Sequence, residues 1–363
     1  MAYPLLLHGK HLGTEVTYQP FGAWLVPWRF HTDTDEYDVL RTATGLIDFS
    51  LLGALTVTGP DRVAFLQNLL TNDIKAVSPG GGCAAALVTS TAKLIADLLV
   101  LVDEDAIWLL TEATRLPAAT DTLTKHHLSE QVTLTGRERT QAVLALQGPR
   151  TVETLVQITS RVISLPGAGD HIQTWFENIP VRLIRHSLAG DVGVLCLVAA
   201  EQAETAWVFL RERGRAHGLR PVGWEALNTA RIEAGFPWFG QDMDETSLLP
   251  ETGLEAVAVS DRKGCYLGQE VIARLATRGS VNKRLVGLLV AGAQVPAPGD
   301  RVFRGKEEVG RVTSACLSRW LERPVAMALL KRGAYEPATS VAIRHDNASL
   351  AATVTALPFV PHR

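Results

Sequence analysis

The sequence lacks most of what would mark a metal, membrane or nucleic-acid protein. Only 4 of its 363 residues are cysteine, at positions 83, 196, 265 and 316, and no two form a C-x-x-C pair. That spacing excludes a zinc ribbon or an iron–sulfur ligand set supplied by one chain, and it implies no disulfide framework. No run reaches the roughly 20 apolar residues of a membrane span. The apolar start, MAYPLLLHG, is too short for a secretory leader, and its charge follows the patch instead of preceding it. Neither G-x-G-x-x-G nor a Walker pattern is present, so Gly80-Gly81-Gly82 reads as a loop and not as a phosphate cradle. A basic excess is also missing. The formal net charge is -3 and the pI near 6.4, which argues against direct nucleic-acid binding. Lys and Arg gather only between Arg262 and Arg332. The expected location is the reducing cytoplasm.

What is present is ordinary globular material, 47% hydrophobic and 20% charged. At this length two or three domains are expected, with a core large enough to need neither disulfide nor metal. Residues 59–77 predict a helix opening at Gly59-Pro60-Asp61, with Val63, Leu66, Leu69 and Leu70 on one face. Strands follow at 84–89, 95–102 and 107–111, then a helix over 112–128. A second lobe opens near residue 139, with strands at 143–147, 181–185 and 192–198 and helices at 150–158, 201–217 and 223–233. Residues 283–357 hold five short β runs punctuated by Gly and Pro, as in a barrel or sandwich. The pattern is α+β, with a core at 1–280 and a β domain at 281–363. The acidic run Asp33, Asp35, Glu36, Asp38 reads as a solvated loop or helix start. Trp175, Trp207 and Trp224 read as packing residues. His126, His127 and His171 lack metal-ligand spacing, and no metal is expected.

The segment KGCYLGQEVIAR, from Lys263 to Arg274, stands apart. Gly264 and Gly268 bracket Cys265 and Tyr266 and permit a tight turn. From Gln269 onward the residues favour a helix, on which Glu270 and Arg274 sit four apart and can pair. Cys265 is expected just before that helix, where exposed N–H groups and the nearby Arg262 and Lys263 favour a thiolate. The alternative is a small buried hydrophobe, the usual fate of a free cysteine.

This segment resembles the signature of the YgfZ family, K-G-C-F/Y-x-G-Q-E-x-x-x-R/K. Further pieces resemble the related glycine-cleavage T-protein: LLTNDI (69–74), ALQGPR (145–150), ARIEAGFPWFGQDMDE (230–245) and VGRVTSACLS (309–318). The resemblance implies two α+β lobes and a C-terminal β-barrel around a central opening that holds tetrahydrofolate. It implies folate contacts from Arg231, from Asp97 within IADLLV, from Asp191 within GDVGVL, and a pocket wall near Trp238. Two positions depart from the T-protein pattern: Ala96 replaces the first of a paired aspartate, and Leu195 replaces a second acid. Losing one charged contact removes roughly 1.5–3 kcal/mol. Both departures point away from aminomethyl transfer.

The resulting expectation is a tetrahydrofolate-binding accessory protein. It would support assembly or repair of iron–sulfur client enzymes, tRNA-modifying ones included, with Cys265 and Lys263 as working residues. The alternative is a folate-dependent aminomethyltransferase.

Overall fold

Asp35 starts the first helix by accepting hydrogen bonds from the N–H groups of Tyr37 and Asp38, with Glu36 and Asp38 in the first turn. The acidic run is therefore a helix start, although Asp33 lies outside the described residues. The computed structural model describes residues 2–11, 15–32, 34–137 and 139–361.

In chain order the first elements are β1 (Tyr3–Pro4), β2 (Val16–Phe21), β3 (Trp24–Phe30), α1 (Glu36–Thr42), β4 (Thr44–Asp48), β5 (Leu52–Thr58) and α2 (Arg62–Gln67). Then come β6 (Gly82–Val88), β7 (Leu94–Val102), β8 (Ala106–Glu112), α3 (Leu116–His126), β9 (Thr133–Gly136), β10 (Gln141–Gln147) and α4 (Thr151–Thr159). The middle of the chain gives β11 (His171–Phe176), β12 (Ile179–Arg185), β13 (Gly193–Ala199), α5 (Ala203–Gly214), β14 (Leu219–Pro221), α6 (Trp224–Glu233), α7 (Glu255–Ala258) and α8 (Gln269–Arg278). It closes with β15 (Lys283–Val290), β16 (Arg301–Arg304), β17 (Glu307–Ser318), β18 (Arg323–Lys331), β19 (Ser340–His345) and β20 (Ala348–Thr355).

The strands from β4 onward form two α+β lobes and a barrel, and β1, β3 and β2 pair in that order as a separate three-stranded sheet. The first lobe is a sheet of order β6-β7-β8-β5-β9, whose apolar face packs Ala96, Leu98 and Val100 against Leu66 of α2 and Leu123 of α3. The second is a sheet of order β11-β12-β13-β10-β4-β14, with Leu144, Val194 and Cys196 packed against Trp207 and Leu210 of α5. β15 to β20 close into a barrel of order β15-β18-β17-β16-β19-β20, filled by Leu288, Val302, Val312, Leu330 and Ile343. Closure leaves that sheet no exposed edge. Each such fully buried aliphatic contributes about 1.5–3 kcal/mol.

By packing, the chain divides into two compact units. One holds the residues up to Leu87, Ile95–Leu227 and Ala258–Leu267; the other holds Val88–Leu94, Asn228–Val257 and everything from Gly268 onward. The barrel strands begin at Lys283, whereas 88–94, 228–257 and 268–282, all within the expected 1–280 core, belong to the barrel's unit. The second lobe is not contiguous either. β4, far ahead of residue 139, lies between β10 and β14 in its sheet. Strand alternation gives no information on which sheet a strand joins.

The helix expected over 59–77 stops at Asn68. Beyond it, side chains take backbone N–H groups of the turn that follows and of strand β6. Gln67 Oε1 accepts the N–H groups of Ile74 and Lys75, and Thr71 Oγ1 accepts that of Ala86.

Candidate functional site

The turn after α2 exposes carbonyls that a helix would have used, and Lys263 collects them. Its Nζ donates to the carbonyl oxygens of Gln67, Leu70 and Asn72 at 2.7, 2.5 and 2.9 Å. All three ammonium hydrogens are thus spent on backbone. The ring of Tyr266 sits 5.0 Å from the same nitrogen, both residues are buried, and burial pulls the ammonium down to about 8. Thr71 and Leu267 complete the fastening. Thr71 Oγ1 donates to Ala258 O, Ser260 N–H to Thr71 O and Leu267 N–H to Asn68 O. The LLTNDI and KGCYLG pieces are therefore one structural knot. Lys263, expected to act on chemistry, is a buried pin; its charge is felt by Cys83, whose thiol burial pushes up to about 11.

On this base the tip is open. Gly264 and Cys265 are both exposed. A Cβ built on Gly264 would meet nothing within 4 Å, and its φ is not positive, so the fold has no need of glycine there. Gly268 is the opposite case: its φ is +81° and a Cβ would lie 2.6 Å from Thr89 O. Gly268 is also the N-cap of α8. Cys265 thus lies three residues ahead of the cap, just before the helix in sequence as expected. Gln269 opens α8 half-buried, and Ile272 and Leu275 face inward. Glu270 and Arg274 are exposed, and among the described residues no ion pair joins them.

Asp97 lies on β7, between Ala96 and Leu98, which both point into the first-lobe core. Its carboxylate turns to the other face, half-buried, and accepts its own backbone N–H. Desolvation pushes it up to about 6, Glu112 adds to the rise and Arg115 opposes it. Glu112 is itself held by Trp24 Nε1 at 2.9 Å and by Thr114 Oγ1 at 2.8 Å. Asp97 thus keeps acceptor capacity and a proton affinity suited to a pterin ring donor, and in this respect the residues present fit a reduced folate. The sequence reading passed over Glu112 and Arg115, because a lone charge at a strand end carries no pattern.

Asp191 is buried and accepts the N–H of Val192 at 2.9 Å. Leu195 is fully buried in β13 opposite Ala145 and Ile184, where an acid would lack water. Arg231 is buried with its donors committed. They reach Asn228 Oδ1, Phe236 O, Asp242 Oδ2, Gln241 Oε1 and Ser314 Oγ at 2.6–3.2 Å. Asp242 also accepts from Thr313 Oγ1, Ser314 Oγ and the N–H of Trp238. Glu233 accepts from Ser318 Oγ and the N–H of Trp320. Arg231 is therefore a clamp between the ARIEAGFPWFGQDMDE and VGRVTSACLS pieces, with no donor left over for a folate tail. Trp238 is half-buried beside it.

Among the described residues no group of three or more His, Cys, Asp or Glu is placed to hold a metal ion, and no helix is long and apolar enough to cross a membrane.

Two α+β lobes, a closed six-stranded barrel and an aspartate on the first sheet define a class, and comparison with known proteins gives its family. Residues 7–262 match the GCVT N-terminal domain, and 283–361 match the glycine cleavage T-protein C-terminal barrel domain. The chain belongs to the glycine cleavage T-protein family. It is 30% identical to the aminomethyltransferase of Streptomyces coelicolor over 367 residues, covering 97% of this chain and 96% of that one. It is 30% identical to the aminomethyltransferase of Bacillus licheniformis, covering 93% of each. The crystal structure of the glycine cleavage system aminomethyltransferase T from Bartonella henselae superposes with a TM-score of 0.88 at 22% identity, covering 100% of this chain and 99% of that chain, and shares the fold.

Proposed function

We propose that this chain binds tetrahydrofolate or a derivative, and that it works as a YgfZ-type accessory protein for iron–sulfur enzymes, with the Gly264–Cys265 tip as its working end. One observation carries the accessory reading. An exposed thiol beside a glycine that the fold does not require stands on a base fastened by Lys263 and Tyr266. A bare tip on a rigid base suits close approach by a partner. One cysteine cannot hold a cluster, so any metal would be shared with a client.

A second reading is folate-dependent aminomethyl transfer. The names and full-length coverage of the relatives favour it, as does the raised carboxyl of Asp97. Ala96 and Leu195 weigh against it.

Two measurements separate these readings. Calorimetric titration with tetrahydrofolate tests the shared part: no heat at millimolar ligand sinks both. A glycine-cleavage assay with the lipoyl partner protein tests the rest. Turnover well above background establishes the transferase reading and removes the accessory one. Background turnover, with client iron–sulfur enzymes impaired by Cys265→Ser under oxidative stress, supports the accessory role.

A further inference from the structure

The six-stranded sheet of the second lobe has two edges of different kind. β14 is three residues long and ends in Pro221, so it offers little to pair with. β11 is six residues, HIQTWF, with no proline and no carboxylate, lysine or arginine to blunt it. The Arg185 N–H donates to Asp170 O one step beyond the strand, which sets the ladder's parity. Ile172, Thr174 and Phe176 turn their backbone groups to β12, and His171, Gln173 and Trp175 turn theirs outward. The His171 N–H is taken by Gly80 O. Among the described residues nothing takes the outward groups of Gln173 and Trp175. The free side of β6 in the other sheet is treated differently, since the 70–72 turn bonds to Ala84 and Ala86 along it.

Beside β11 runs a groove of about 240 Å³, lined by Ile158, Thr159, Arg161, Trp175, Glu177, Phe209 and Arg213. Trp175 is 48% exposed and the neighbouring Val162 90% exposed. Arg213 pairs with Glu177 at 2.7 Å, and Arg161 is exposed without an acid partner among the described residues. The groove therefore presents two arginines against one glutamate, over an apolar floor.

We propose that β11 and this groove are a docking edge for an extended, acidic segment of another protein, which adds to the sheet as a seventh strand. Gln173 and Trp175 supply its backbone hydrogen bonds. An apolar side chain of the segment lies on Ile158 and Phe209, on the face to which Phe176 points, and a carboxylate meets Arg161. A second copy of this chain is a poorer occupant, because its own β11 carries no carboxylate for Arg161. This edge is separate from the Cys265 tip and does not depend on the role proposed for it.

The test is a library of random heptapeptides panned on the full-length folded protein, with selected peptides measured by fluorescence polarisation. Sequences alternating apolar and acidic residues are expected. Arg161→Glu should weaken them by about tenfold or more. Gln173→Pro removes one outward N–H without touching the bonds to β12, and should weaken them by roughly three- to tenfold. Both positions are exposed, so melting temperatures should not move. Recovery of no sequences, of sequences without acidic preference, or of peptides that bind both variants as well as the parent overturns the proposal. So does a concentration-dependent dimer in sedimentation that Gln173→Pro abolishes, which would make a second copy the occupant.

Discussion

Lys263 and Arg231 are both buried cations with their donors spent inside the protein, yet they are built differently. Lys263 faces three neutral carbonyls. Arg231 faces a carboxylate, Asp242, in an ion pair of 2.6 Å whose side chains are 4% and 0% exposed. A carbonyl left without a donor loses a hydrogen bond, whereas a carboxylate left without its cation is a buried charge. The difference between the two knots is thus one of kind, and mutation can measure it.

The largest effect should come from Arg231→Ala. It strands Asp242 among two hydroxyls and one N–H, and should cost about 3–5 kcal/mol in urea unfolding. Removing Arg231 and Asp242 together, as Arg231→Met with Asp242→Leu, should cost less than the single change; an equal or larger cost would mean that the ion pair is not the source. Lys263→Met should cost about 2–4 kcal/mol, since three carbonyls lose their donor while a desolvated ammonium is also removed. A loss as large as that of Arg231→Ala would erase the contrast.

Asp97 and the glycines sharpen the comparison from the open side. Gly268→Ala, at positive φ and against Thr89 O, should cost about 1–3 kcal/mol, whereas Gly264→Ala should stay within about 0.5 kcal/mol. Asp97→Asn should stabilise the fold at pH 7 by on the order of 1–3 kcal/mol while weakening folate binding. The sign follows from its carboxyl, raised from 3.8 to about 6 in the fold. A raised carboxyl favours the folded state fully below pH 3.8, and that contribution is lost as pH rises through 6. The gap between parent and Asn variant should therefore close below pH 4, as unfolding at several pH values would reveal. The smallest effect is expected of Cys265→Ser, within about 0.5 kcal/mol on stability, because the thiol is exposed and takes part in no hydrogen bond among the described residues.

Much of this was legible in the sequence, and the reasons for the gaps are physical. Continuous apolar runs marked β7, β8, β10, β12 and β13, most of whose residues are buried on both faces. Alternation marked β19 and β20, where one buried face enforces a period of two. Neither could show that β4 joins the second sheet, since pairing across a hundred residues leaves no local trace. The break of the helix at Asn68 was hidden too, because it depends on where the side chains of Gln67 and Thr71 find partners.

The sequence by itself determined many of the elements, the family and the segment around Cys265, since each is written in local pattern or residue identity. Only the tertiary structure decided which members of that segment are free to act. Lys263 and Cys265 are two residues apart and were read alike. One faces unpaired carbonyls from a distant turn and is consumed by them; the other faces solvent. That distinction lies in what the rest of the chain brings near, because a donor is available for function only when the fold has not already satisfied it.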